Sequence, residues 1–114
     1  MARYVPHQKD IITLRLPTKS GGKLMEDKLF LVISATAYNQ LGKCILCPIT
    51  EEALDLRTEV KLPINQKIKG VVVADQCRNL DWQLRWPKKR DQLTDNKVFL
   101  RITDTVLALI ALPQ

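Results

Sequence analysis

Apolar and polar side chains alternate along residues 10–16, with Ile12, Leu14 and Leu16 on one side and Thr13 and Arg15 on the other. A period of two sends successive side chains to opposite faces, so this segment reads as a half-buried β-strand. Pro17 stops it, and Thr18-Lys19-Ser20-Gly21-Gly22-Lys23 opens a basic, glycine-bearing loop that runs on to about residue 27. A loop of that length in a small domain is usually functional or disordered. Leu29-Phe30-Leu31-Val32-Ile33-Ser34 is continuously apolar until its last residue and partly β-branched, which predicts a buried strand. A turn follows around residues 39–42, then a strand over 43–49 and a polar connection over 50–57. Residues 58–64 alternate again and carry Pro63, which favours the edge of a sheet. Residues 65–70 turn the chain into Val71-Val72-Val73-Ala74, a second buried strand, and residues 82–86 read as a further short strand ended by Pro87.

The last segment changes period. Val98, Ile102, Val106 and Leu109 share one helical face, with Phe99 and Ile110 beside it, and Thr94 or Asp95 can cap the start. The β-branched residues in this stretch keep a strand open as the alternative. Five or six short strands and one terminal helix make a mainly β domain, a small barrel with the helix packed against it.

The chain has 114 residues, which suits a single domain over 1–114, and 46% of them are apolar, enough for a core. Its longest apolar runs are far shorter than the roughly 20 residues of a membrane helix. The first residues carry no apolar signal core, so a cytoplasmic, bacterial location with no membrane partner is the expectation. Cys44 and Cys47 have the CxxC spacing, but a zinc site needs two more ligands and the only histidine is His7. In a strand the two thiols point to opposite faces, so core or surface free thiols are expected and neither a metal nor another cofactor. The net charge is +6, from 18 Lys and Arg against 12 Asp and Glu. That balance suits a polyanion or an acidic protein partner, and a nucleic-acid enzyme with an acidic inhibitor would have both.

Several pieces then fall into a familiar order. Arg3-Tyr4-Val5-Pro6 followed by Asp10-Ile11, Val32-Ile33-Ser34 with Tyr38-Asn39, and Pro48-Ile49-Thr50 are three of them. Gly70-Val71-Val72-Val73-Ala74-Asp75-Gln76, followed by Arg78 and Leu80, is the most specific. Together they resemble the MazF/PemK family of toxin endoribonucleases over nearly the whole chain. The resemblance implies an SH3-like barrel of five to seven strands with a C-terminal helix, of the kind shared with CcdB. It also implies a homodimer, metal-independent and sequence-selective cleavage of single-stranded RNA, and inhibition by a cognate acidic antitoxin. Two positions depart from the family pattern. Lys9 stands where a glycine usually precedes the aspartate, and Lys28-Leu29 stand where an Arg-Pro pair usually opens the second strand. That arginine is commonly assigned to catalysis.

Cutting RNA without a metal can use the ribose 2′-OH as nucleophile. Such a site needs a base, a cation or donor for the phosphorane oxygens, and an acid for the leaving oxygen. On the resemblance the catalytic candidates are Lys28, Thr50 and Asp75. Lysine supplies the charge of arginine without its two-pronged fork. Thr50 can donate to a phosphate oxygen or simply terminate a strand in a turn. Asp75 can act as a base or hold a neighbouring loop by hydrogen bonds. Lys19, Lys23, Gln76, Arg78 and Arg85 are the RNA-binding candidates. Arg78, Arg85, Lys88, Lys89 and Arg90 interleave with Trp82 and Trp86, a combination that suits unstacked bases but equally a solvated face with tryptophans in the core. His7 has an acid–base titration range, although a surface histidine is the commoner outcome. Two other readings stand beside the ribonuclease. One is a relative that binds RNA or antitoxin without cutting, and the other a CcdB-like gyrase poison. The second depends on a Trp-Gly-Ile ending, whereas this sequence closes on Ala111-Leu112-Pro113-Gln114.

Overall fold

In the computed structural model, which describes residues 4–18 and 24–111, seven strands and a long helix are built in the order the hydrophobic pattern suggests. Strand β1 is Asp10–Pro17, β2 Met25–Val32, β3 Lys43–Thr50, β4 Glu59–Lys61, β5 Val71–Val73, β6 Arg78–Asp81 and β7 Lys88–Gln92. One turn of helix, α1 (Thr36–Asn39), precedes β3, a 3₁₀ turn (Ala74–Gln76) follows β5, and α2 (Asn96–Ile110) ends the described chain. The sheet runs β4-β5-β3-β2-β1-β7, all antiparallel, with β6 also paired to β3. Its two end strands do not pair, so the sheet is open where a closed barrel is expected.

The sheet is apolar on both sides. Ile12, Leu14, Leu16, Phe30, Val32, Cys44, Leu46, Leu80 and Trp82 form one core. Ile11, Leu31, Cys47, Ile49, Val72 and Leu93 meet Phe99, Ile102 and Val106 of α2 in the other. Strand β1 is therefore buried on both faces over its first half, more than the half-buried strand its alternation predicts, because Ile11 and Thr13 lie under the second layer. Cys44 and Cys47 fall in different cores, as period-two geometry requires, and all three cysteines are free. Burial pushes the Cys44 thiol up to about 12.

Helix α2 starts where Asp95 accepts from the backbone N–H of Lys97 (2.9 Å) and Val98 (3.2 Å), so Asp95 rather than Thr94 is the cap. Phe99, Ile102 and Val106 are buried, while Leu109 at the far end is exposed. The helix packs on the 3₁₀ turn and β4.

Three elements differ from their sequence expectation. Strand β2 begins at Met25, inside the expected loop, because its polar first half pairs with β1 from Pro17↔Met25 to Leu14↔Lys28. Residues 82–86 form a turn, and the strand beside them is β6, set by pairing with β3. Lys88–Gln92 has no apolar pattern of its own and becomes β7 by pairing with β1. The N-terminal segment is tied down by Asp10, which is buried. Its carboxylate accepts from the Tyr4 hydroxyl and the His7 backbone N–H (3.0 Å), and Lys89 Nζ lies 3.5 Å away. Burial, with the same Asp10 contact added to it, raises the Tyr4 phenol far above its usual range.

Candidate active site

A cleft of about 620 Å³ opens where β2 loses its second neighbour. Strand β3 covers β2 only from Phe30 to Val32, so residues 25–29 are paired on the β1 side alone. The free side of β2 forms one wall. The end of β3 and the 3₁₀ turn after β5 form the floor, and residues 52–59 form the opposite wall. Lys28 comes from β2, Thr50 is the last residue of β3, Asp75 and Gln76 sit in the 3₁₀ turn, and Arg78 opens β6. Five candidates spread over some fifty residues of sequence thus line one depression.

Each is held differently. Lys28 Nζ lies 3.3 Å from Glu26 Oε1, two residues along the same strand face, and the side chain is about 30% exposed. Thr50 Oγ1 accepts from the Glu52 backbone N–H at 3.1 Å. That bond closes a small turn, and because it uses an oxygen lone pair it leaves the hydroxyl proton to donate. Thr50 therefore fills the turn role and still faces the cleft. The floor is fixed by Gly70, which precedes β5 at φ +131°; a Cβ there would stand 2.5 Å from the Thr50 carbonyl oxygen. Behind the floor, burial raises the Cys47 thiol, with Cys77 and Asp75 close enough to add to the effect.

The cleft is also acidic in a way the sequence pattern does not announce. Glu26, Asp27, Glu52, Glu59 and Asp75 line it against Lys28 and Arg78. Glu59 organises the far wall, since its carboxylate accepts from Leu54 N (3.0 Å) and Leu56 N (3.2 Å) and so presents two exposed leucines to the cleft. No motif marks Glu26, Asp27, Glu52, Leu54, Leu56 or Glu59; only the hairpin register for Glu26 and Asp27 points at two of them. The remaining RNA-binding candidates are Lys19, Lys23 and Arg85. Lys19 and Lys23 fall outside the described residues. Arg85 follows β6, where Nε donates to the Asp81 carbonyl (3.0 Å) and its own carbonyl accepts from Arg15 N (2.8 Å). His7 is exposed, with Nδ1 2.8 Å from the Val5 carbonyl oxygen, and is not among the cleft residues. Among the described residues no group of three His, Cys, Asp or Glu side chains could hold a metal ion. Among the described residues no helix is long and apolar enough to cross a membrane.

Comparison with known proteins decides what this arrangement is related to. The family model for the PemK-like, MazF-like toxin of type II toxin–antitoxin systems matches residues 7–110. The chain belongs to the PemK/MazF toxin family. The endoribonuclease toxin MazF of Escherichia coli K12 is 28% identical over 101 residues, covering 88% of this chain and 90% of that protein. A crystal structure of MazE-MazF from Deinococcus radiodurans superposes with a TM-score of 0.88 at 29% identity, over 97% of this chain and 100% of the other. MazF alone from the same organism gives 0.84 at 30% identity, over 96% and 100%. The PemK/MazF match takes in every strand and all of α2, so the whole cleft, departures included, lies inside the family domain.

Proposed function

We propose that this chain is the toxin of a type II pair and a metal-independent endoribonuclease that cuts single-stranded RNA in the cleft. The observation that carries the reading is convergence: Lys28, Thr50, Asp75, Gln76 and Arg78 come from four separate elements and meet around one opening. In the reaction the ribose 2′ oxygen attacks phosphorus and gives its proton to the Asp75 carboxylate. The P–O5′ bond breaks and the departing oxygen takes a proton from water, leaving a 2′,3′-cyclic phosphate and a 5′-OH. Lys28 and the Thr50 hydroxyl face the equatorial phosphorane oxygens, where donors act most strongly. Gln76 and Arg78 hold the flanking nucleotides. Arg85 extends the contact beyond the cleft, and Lys19 and Lys23 are further candidates for RNA contact.

The test is incubation of a long single-stranded RNA with the protein in EDTA, followed by end analysis. Cleavage with cyclic-phosphate ends supports the mechanism, whereas a magnesium requirement or a 5′-phosphate end refutes it. One observation favours a second reading, a binder that does not cut: Lys28 is engaged by Glu26 in a cleft richer in carboxylates than in cations. RNA binding without cleavage in that assay selects it. The partner side follows the family. A cognate acidic antitoxin binds this chain, and the chain works as a homodimer, for which the exposed Leu100, Leu107 and Ile110 of α2 offer apolar surface. Sedimentation at micromolar concentration that gives only a 13.0 kDa species refutes the dimer.

A further inference from the structure

The two tryptophans of the 82–86 segment have opposite fates. Trp82 is buried in the core and its indole N–H donates to the Asn39 carbonyl at 2.9 Å. Trp86 is 68% exposed and sits at φ +53°, a left-handed conformation that is uncommon for a bulky residue and costs roughly 1–3 kcal/mol. Nothing in the core requires that cost, because the Trp86 ring packs into neither apolar cluster. What the conformation achieves is display. The ring forms part of a shallow pocket of about 400 Å³ with Gln83, Leu84, Pro87 and Lys88.

The display is also electrically prepared. The Arg15 guanidinium lies over the indole, 5.2 Å from the ring centre. Arg15 is itself fixed by Asp27, whose Oδ1 is 3.3 Å from its Nε, and Asp27 Oδ2 is 3.9 Å from Arg90. Asp27 is a cleft residue. The chain of contacts therefore runs from the cleft wall on β2, across Arg15 on β1, to Trp86. Two strand spacings of about 4.8 Å put the ring roughly 10 Å beyond that wall. A polynucleotide leaving the cleft in this direction meets a flat aromatic surface beside Arg15 and Lys88.

We infer that Trp86 is a stacking platform for an unpaired base of the RNA, a second subsite outside the cleft that holds a nucleotide flanking the cut. The inference rests on the RNA reading of the cleft. An aromatic face with adjacent cations is what binds single strands without regard to sequence, since every base has a π-face and every linkage a charge. A protein partner is the alternative occupant, and sedimentation separates the two.

The experiment compares two RNAs that share one cut site. One is just long enough to fill the cleft, and the other is extended on both sides by unpaired nucleotides. Binding is measured with 2′-deoxy substitution at the cut, and cleavage with the unmodified RNAs in single turnover. Trp86→Gly removes the ring while relieving the left-handed backbone, so it should fold at least as well as the parent; Trp86→Phe retains a smaller face. The expected result is that the parent binds the extended RNA more tightly and that Trp86→Gly loses that advantage, by roughly ten- to a hundredfold. Trp86→Phe keeps most of it, and the short RNA is cut alike by all three. If Trp86→Gly binds and cuts both RNAs as the parent does, the platform is refuted while the cleft reading survives. If the parent cuts and binds neither RNA, the cleft reading fails and the platform falls with it. If Trp86→Gly instead weakens self-association in sedimentation with no dependence on RNA length, the ring belongs to a protein interface and the inference is overturned.

Discussion

Glu26→Gln isolates what the acidic lining does to the one cleft cation nearest it. Glu26 Oε1 and Lys28 Nζ are 3.3 Å apart, with side chains about 49% and 30% exposed. Two unit charges that close attract by about 1 kcal/mol in a water-like medium, and measured exposed pairs fall at about 0–1 kcal/mol after screening and side-chain ordering. Replacing the carboxylate by a neutral amide of the same shape frees Lys28 for a phosphate and removes one repelling charge from the cleft. The expected gain is up to about fivefold in affinity for a non-cleavable RNA at low salt, since 1.4 kcal/mol is about tenfold. It should shrink at about 0.5 M salt, where the Debye length is well under 10 Å. The assay is a titration of labelled 2′-deoxy-substituted RNA at two ionic strengths, with single-turnover cleavage of the ribose form alongside. A dissociation constant that does not improve refutes the electrostatic argument. A cleavage rate that falls by about 10²–10⁴ at unchanged affinity shows that Glu26 itself transfers a proton, because general acid–base groups contribute on that scale.

Lys28→Arg should raise the single-turnover rate modestly and Lys28→Ala should reduce it by ~10²–10³, because a guanidinium can grip two phosphorane oxygens and an ammonium one; an Ala variant as fast as the parent moves the phosphate to another cation. Gly70→Ala places a Cβ against the Thr50 carbonyl oxygen in a backbone conformation that favours glycine; thermal unfolding should show a loss of about 1–3 kcal/mol, and the cleavage rate should fall with it as Thr50 shifts. Cys44 ionises near 12 in the fold and at roughly 8.5 in an unfolded chain, so its contribution is complete below about pH 8.5 and is lost as pH rises through that window toward 12. The midpoint of thermal unfolding should therefore fall between pH 8.5 and 10.5, and fall less steeply in Cys44→Ala; parallel profiles refute the assignment.

Most strands were legible because they carry their own apolar signal. Segments 10–16 and 43–49 sit in β1 and β3, segments 29–34 and 71–74 overlap β2 and β5 but overrun their ends at Val32 and Val73, and the helical spacing of Val98, Ile102 and Val106 marks α2. Elements made by a partner were not. Lys88–Gln92 becomes β7 only because β1 offers an unpaired side, and Met25 to Lys28 join β2 only because the hairpin register draws them in. The cleft followed the same division. Thr50, Asp75, Gln76 and Arg78 lie in the family motifs, Lys28 stands at a departure from them, and all five line it. Glu26 and Asp27 entered with the unforeseen half of β2, and Leu54, Leu56 and Glu59 through a loop shaped by backbone hydrogen bonds to one carboxylate. Arg85 shared a basic run with Arg78 but not a place, since a turn separates β6 from β7.

Because the sheet does not close, three of the described strands, β4, β6 and β7, pair on one side only. Exposed edges of this kind are templates for strand-to-strand aggregation, and natural proteins blunt them by shortness and by charge. Strand β4 has three residues, Glu59–Lys61, and β7 reads Lys-Lys-Arg-Asp-Gln. The run that looks like a polyanion surface is thus also a gatekeeper, and the two duties cannot be separated by simple neutralisation. A triple alanine variant of Lys88, Lys89 and Arg90 would remove the guard from an edge while also leaving Asp10 without its Lys89 partner. A charge-reversing substitution at Lys88 keeps the edge guarded and leaves the Lys89–Asp10 and Arg90–Asp27 contacts in place, so its effect on RNA can be interpreted.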